Sequence, residues 1–275
     1  RRLKTDYFDF YLLHSLDENY IQDYTDPQKD YLGFLLRQKE AGKIRHIGFS
    51  SHGSPETLEK FLNWYDGFDM ALIQLNYLDW TLLDGKGQYD ILTKHHIPIW
   101  VMEPLKGGRL STLNQKARDI LQQAASGWSI SSWGFRFLME LPGVQTVLSG
   151  MTTMEHMKDN VATVDDFKPL TESERELLFK VADVYKQSKT VPCTGCRYCM
   201  DCPAGVDIPA VFKIYNQYCV TENKAQFLAD YEAVGDSKQA HHCVACRKCC
   251  SQCPQSIDIP TRMEDVKALY KKLKG

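Results

Sequence analysis

Two stretches near the C-terminus constrain this chain more than anything else in it. "VPCTGCRYCMDCPAGVDIP" runs from Val191 to Pro209, and "HHCVACRKCCSQCPQSIDIP" from His241 to Pro260. All ten cysteines fall between Cys193 and Cys253, and the preceding two thirds of the chain have none. The two motifs begin fifty residues apart, at Cys193 and Cys243, and close on Val-Asp-Ile-Pro and Ile-Asp-Ile-Pro. The region is therefore an approximate internal duplication, built around cysteine.

Cysteines so grouped serve disulfides, zinc or iron–sulfur. Disulfides fit poorly: the thiols are crowded into one region, and no export signal is visible, which points to a reducing, cytoplasmic location. A cubane [4Fe–4S] cluster needs one thiolate for each of four irons. A C-x2-C-x2-C loop reaches three of them, and the cysteine before the following proline ligates the other cluster in two-cluster ferredoxins. The first set here is Cys193, Cys196, Cys199, Cys202 and Pro203; the second is Cys243, Cys246, Cys249, Cys253 and Pro254. The first has one residue fewer before its last cysteine. The expected ligation is crossed, with Cys193, Cys196 and Cys199 joined by Cys253, and Cys243, Cys246 and Cys249 joined by Cys202. Cys250 is an alternative to Cys249, and Cys219, in the apolar "FKIYNQYCV", reads as a packed thiol. Structural zinc is the competing reading, but it favours two separated C-x2-C pairs over four cysteines in one run. His241 and His242 read as surface histidines.

Upstream, short apolar runs alternate with amphipathic ones. Strands are predicted at Asp6–His14, in "RHIGFSS", and at Met70–Leu78, Ile97–Leu105 and Val144–Gly150. Helices are predicted from Asp26-Pro27 to Ala41, from Ser54 to about Trp64, around 88–95, at about 114–125 and 129–141, and over 154–162. Five βα units imply a parallel sheet. Polar residues close each strand: His14; Ser50 and Ser51; Gln74 with Asn76; Glu103 with Lys106; Ser149 with Gly150. In a (β/α)8 barrel that rim is the active face. No G-x-G-x-x-G follows any strand, which argues against a Rossmann site, and "KGGRL" (106–110) is glycine-rich without a P-loop pattern. A 275-residue chain with 43% hydrophobic residues holds one large and one small domain, and a net charge of −2 argues against nucleic acid or a membrane surface as partner.

In order, "LKTDYFDFYLLH", "GKIRHIGFSSHG", "IQLNYLDW", "PIWVMEPLKGGRL" and "LPGVQTVLSGMTTMEHMKDNV" make the chain resemble an aldo/keto reductase, here followed by a ferredoxin-type 4Fe-4S domain. The resemblance implies a partial TIM (β/α)8 barrel over residues 1–170, holding the last five units, and a small, mostly α-helical two-cluster domain over 171–275. It implies that three earlier βα units, with the Asp, Tyr and Lys of the family's catalytic tetrad, belong to a longer parent protein. On that expectation this piece is inactive alone and cannot close a barrel.

The resemblance assigns His14 as the catalytic histidine that hydrogen-bonds the substrate carbonyl. Ser50, Ser51 and Gln74 match the clamp on the nicotinamide carboxamide, with Ser51 standing where asparagine is usual. Met102 or Glu103 takes the place of the aromatic residue that stacks on the nicotinamide. Ser149 to Asn160 matches the segment around the adenosine phosphate, with Asn160 and Asp159 at the adenine. Gly150 and His156 stand at or near the places of basic residues that pair with a 2′-phosphate, so NADPH and NADH both remain open.

Two functions follow. One is an oxidoreductase that passes electrons between NADPH or NADH and a small-molecule carbonyl substrate, with two [4Fe–4S] clusters and a redox partner protein. The other is an electron-transfer or scaffold iron–sulfur protein without NAD(P)H turnover. Hydride moves electrons in pairs and clusters move them singly, so a direct wire needs an intermediary that the sequence does not display.

Overall fold

A computed structural model describes residues 3–124, 127–187 and 189–275. Their contacts divide the chain into two units, one of residues 1–105 and 131–175, the other of 106–130 and 176–275.

The first unit is built on five parallel strands in sequential order: β1 (Phe8–Leu16), β2 (Ile44–Ser51), β3 (Met70–Gln74), β4 (Ile99–Met102) and β5 (Val144–Val147). Each strand is hydrogen-bonded to the next, with Phe8 opposite Ile44, Gly48 opposite Met70, Gln74 opposite Met102 and Ile99 opposite Val144. Helices connect the strands, as parallel pairing requires. They are α1 (Ile21–Thr25) and α2 (Tyr31–Glu40) after β1, α3 (Pro55–Trp64) after β2, and α4 (Asp79–Leu82) and α5 (Gly85–Lys94) after β3. The first unit also holds α7 (Ile130–Met139) and α8 (Met154–Asp165), whereas α6 (Gln115–Gln122) and most of α9 (Glu172–Lys186) count with the second unit.

β3 reads as an apolar run buried almost throughout, and β2 is buried from Ile47 onward, with Arg45 and His46 exposed. Phe49 on β2 meets Phe61 on α3 edge-on at 5.2 Å, and Phe68 lies 4.9 Å and 5.2 Å from the two rings. The Ser54 hydroxyl accepts from the Thr57 amide and Pro55 opens α3, as the sequence anticipates. At the sheet's margins the apolar surface is bare. Phe8, Phe10 and Tyr11 of β1 are exposed, as are Met154, Met157, Val161 and Val164, spaced three and four residues apart along α8.

Several boundaries differ from expectation. The helix expected from Asp26 begins at Tyr31, because the Asp26 carboxylate accepts from the Gln28 amide and shapes a turn, and Asp30 enters α2 in the left-handed region (φ 45°). The third strand stops at Gln74 rather than Leu78, because Asn76 Oδ1 accepts from the amides of Leu78 and Asp79 and starts α4. The expected helix over 114–125 is described only to Gln122 as helix, and residue 125 lies outside the described residues.

The second unit holds α10 (Ile208–Thr221), α11 (Lys224–Ala233) and α12 (Ile259–Lys274). They enclose a core of Val211, Phe212, Tyr215, Phe227, Tyr231, Met263 and Val266, with eight cysteines partly buried or packed around it, Cys219 among them. All ten cysteines are free thiols.

Candidate functional site

The duplicated motifs fold alike for a local reason. In each, the residue before the second cysteine and the arginine after it are left-handed: Gly195 (φ 76°) and Arg197 (φ 69°), Ala245 (φ 54°) and Arg247 (φ 62°). Those reversals curl the backbone so that successive thiols turn inward. Each arginine then reaches the aspartate of its own Asp-Ile-Pro ending, Arg197 to Asp207 at 3.8 Å and Arg247 to Asp258 at 3.2 Å. Those aspartates stand at the N-caps of α10 and α12, whose first turns carry Pro209 and Pro260. The repeated ending is thus a helix start tied back to its cysteine loop.

The thiols collect into two groups. One small cavity is lined by Cys193, Cys196, Cys199 and Cys253, with Phe212, Ile257 and Ile259. A second is lined by Cys202, Cys243, Cys246 and Cys249, with Val206 and Met263. Each group takes three cysteines from one motif and the last from the other. Cys250 lines neither cavity. Burial, then the neighbouring Cys193, Cys196 and Cys253, push the Cys199 thiol up to about 12. Burial also raises Cys193 and Cys253. No three of the sulfurs lie within 4.8 Å of one another. Four sulfurs around a single zinc at about 2.3 Å would stand about 3.8 Å apart, whereas a cubane spreads them, each on its own iron. The one trio of His, Cys, Asp or Glu that is so gathered among the described residues is Asp236, His241 and His242, where each imidazole pairs with one carboxylate oxygen at 3.2 Å and 3.1 Å.

The "KGGRL" segment belongs to this unit. Lys106 is fully buried, and its ammonium donates to Gln255 Oε1 at 2.7 Å, two residues past Cys253. Gly107 passes so close to Thr194 that a Cβ would sit 2.7 Å from its carbonyl oxygen. Arg109 donates to the Val191 carbonyl and to the Tyr185 hydroxyl. None of this was legible in the sequence, where the segment showed only its glycines.

In the first unit the strand-end residues fall on one edge of the parallel sheet. His14 is exposed near the end of β1, and its backbone carbonyl accepts from the Tyr24 hydroxyl at 2.5 Å. The Ser50 hydroxyl accepts from the Ser15 amide at 2.7 Å, and the Ser51 hydroxyl donates to the Leu16 carbonyl at 3.2 Å, so both tie β1 to β2. Gln74 Nε2 donates to Asp79 Oδ2 at 2.7 Å, and Asn76 Nδ2 donates to the same oxygen at 2.7 Å and to the Glu103 carbonyl at 3.0 Å. Glu103 follows β4 with φ 56°, and Met102, half-buried, ends it. Asn160 Nδ2 donates to Ser149 Oγ at 2.9 Å, and both line a cavity of about 620 Å³ with Phe135, Val147 and Phe167. Asp159 lies beside Asn160, its backbone carbonyl accepting from Thr163, and Gly150 is exposed. The geometry thus joins Ser149 to Asn160, and Gln74 to Asn76, Asp79 and Glu103.

The matches to known proteins agree with this fold. The model of the aldo/keto reductase family matches residues 1–183. The chain belongs to the aldo/keto reductase family. The uncharacterized oxidoreductase YqkF of Bacillus subtilis (strain 168) is 24% identical over 214 residues, which is 69% of this chain and 65% of that protein. Among solved structures, the holo form of aldo-keto reductase AKR11C1 from Bacillus halodurans is 23% identical with a TM-score of 0.52, covering 66% of this chain and 60% of that one. An aldo/keto reductase from Brucella melitensis is 22% identical with a TM-score of 0.50, covering 66% and 63%. The chain therefore spans a little under two thirds of the length of these relatives of the family.

Two residues near the family's strand-end rim escaped the sequence reading. Asp79, fully buried, organises the amides of Gln74 and Asn76. His52, directly after β2, is held below the usual imidazole range by burial, with the nearby His14 adding to the effect and Asp17 opposing it. Folded His52 thus takes up a proton less readily than unfolded His52. The stability this contributes is complete above about pH 6.5 and is lost as the pH falls. The urea midpoint should drop between pH 7 and 5, and the drop should be shallower in His52→Gln; equal slopes in the two proteins would remove His52 from the account.

Proposed function

We propose that this chain is part of an aldo/keto reductase-type oxidoreductase whose second unit holds two [4Fe–4S] clusters in crossed ligation. The first is bound by Cys193, Cys196, Cys199 and Cys253, the second by Cys202, Cys243, Cys246 and Cys249. The observation that carries the reading is the sorting of eight cysteines into two cavities, three and one from each motif. The donor set suits the group: each cavity offers four thiols, one for each iron of a cubane. When bound, such clusters supply one-electron transfer. The protein's part is to set each quartet, partly buried except for exposed Cys196 and Cys246, against apolar side chains, and to place Lys106 and Arg109 close to the first.

On the same reading, the whole protein reduces a small-molecule carbonyl with NADPH or NADH. His14 hydrogen-bonds the carbonyl oxygen where negative charge develops, and Ser149 with Asn160 forms part of the dinucleotide site. The 275 residues include no match to the family's Asp, Tyr and Lys, so the chain by itself should show little carbonyl turnover. A second reading, electron transfer without nicotinamide, draws on the inward commitments of Ser50, Ser51 and Gln74, whose hydrogen bonds serve the sheet itself.

Anaerobic quantification of iron and sulfide with a visible spectrum tests the cluster reading. The expected result is about eight irons and eight sulfides per chain, with absorption near 400 nm that bleaches on reduction. Colourless protein carrying stoichiometric zinc would overturn it. Titration with NADPH and NADH separates the two readings of the first unit, because only the reductase binds either.

A further inference from the structure

Beside the first quartet, within the second unit, lies a cleft of about 540 Å³ that neither the reductase nor the cluster reading uses. That volume is in the range of small-molecule sites, about 300–1,000 Å³. One wall comes from residues 107–114, another from α10, and the Cys193–Gly195 stretch lies between them.

Its charge is one-sided. Arg109, Arg197 and Lys213 line it, and no aspartate or glutamate does. Arg197 shares its charge with Asp207, at 3.8 Å. Arg109 does not: its hydrogen bonds run to the neutral oxygens of Val191 and Tyr185, and no carboxylate pairs with it among the described residues. Lys213 is exposed on α10, likewise without an ion pair among the described residues. A half-buried guanidinium with only neutral partners leaves electrostatic stabilisation unrealised, and an anion supplies it.

A second observation points the same way. The Thr194 hydroxyl is buried without a hydrogen-bond partner among the described residues, and Thr194 lines both this cleft and the first thiol cavity. Buried polar groups are rarely left unpaired, and an unmade bond at a cavity wall often marks a missing ligand or water. Pro209, Ala210 and Val220 add an apolar surface to a lining that also carries Thr112, Asn114, Asn216 and Gln217. A bare inorganic ion would leave that surface empty.

We infer that this cleft binds a small organic anion, with its phosphate or carboxylate head between Arg109 and Lys213 and its apolar body along α10. The site shares Cys193 on its wall with the first thiol cavity, so iron content is read alongside binding.

The test is calorimetric titration of the full chain, as isolated, with riboflavin 5′-phosphate, riboflavin, phenyl phosphate, 4-phenylbutanoate and inorganic phosphate. The first is chosen because a flavin exchanges electrons both singly and in pairs, the intermediary that hydride and cluster chemistry would need. At least one organic anion should bind at micromolar concentration. Riboflavin and inorganic phosphate should bind at least tenfold more weakly. The comparison of phenyl phosphate with 4-phenylbutanoate then tells a phosphate head from a carboxylate. Lys213→Glu, on an exposed position with no partner to lose, should weaken binding at least tenfold, and Arg109→Gln should do the same. Iron content, measured on the same samples, should be unchanged in Lys213→Glu. Absence of binding by all three organic anions overturns the inference, as does binding that survives Lys213→Glu.

Discussion

If the proposed crossed ligation holds, serine in place of Cys253 should lower the iron content from about eight per chain to about four, and the cluster lost should be the one held by the first motif. The prediction turns on crossing. Cys253 sits in the second motif by sequence, yet it lines the cavity of Cys193, Cys196 and Cys199. If each motif bound its own cluster, Cys193→Ser and Cys253→Ser would damage different clusters, and the double variant would lose nearly all the iron. With crossed ligation the two changes strike one cluster, so the double variant should retain about four irons, as each single variant does. Cys202→Ser combined with Cys193→Ser should instead strip both. Non-additivity of this kind is the signature of residues acting on one centre. The reverse pattern would restore uncrossed ligation. Cys250→Ser should leave the iron content where it was.

Asp79→Ala should produce a large loss of stability in the first unit. The carboxylate is fully buried, and one of its oxygens accepts from both Gln74 and Asn76 at 2.7 Å. Alanine removes the acceptor and leaves its neighbours in place. Asn76 retains the Glu103 carbonyl at 3.0 Å, but these contacts of both amides with Asp79 are lost where water cannot replace them. A buried donor without its partner costs about 1–3 kcal/mol, so the expected loss is about 2–4 kcal/mol. Urea unfolding would show it as a lower midpoint at unchanged slope. Asp79→Asn should recover part of the difference, since its amide oxygen still accepts. If Asp79→Ala unfolded at the wild-type midpoint, the network would be incidental to the fold.

How far the sequence discloses these features depends on how local their causes are. The cysteine groups were legible because the spacing within each motif decides which thiols face the same way, and the repeated Asp-Ile-Pro endings already mark where α10 and α12 begin. The order of strands and helices in the first unit was legible for a similar reason, since parallel units write their apolar runs and helix caps in sequence. Their limits were less so. Asp26-Pro27 has the composition of a helix start but makes a turn, and only the left-handed Asp30 reveals the true entry to α2. Ser50 carries a family match in its identity and Ser51 only in its position, while the hydrogen bonds of both to β1 depend on a partner 35 positions away. Asp79 gave no signal of its own in "LNYLDW", because its importance arises from complete burial. The role of "KGGRL" was hidden most deeply, since Lys106 meets Gln255 across 149 positions.

That last separation has a consequence in time. A ribosome adding about 5–20 residues per second needs roughly 7–30 s to pass from Lys106 to Gln255. Early in that interval residues 106–130 have been made, but most of the unit into which they pack has not. The bond from the Lys106 ammonium to Gln255 forms only once the interval has ended. The nascent chain therefore carries an unfinished segment in its middle, waiting on its own tail. Any pause, early stop or proteolytic cut before Gln255 leaves that segment without the contact that closes it.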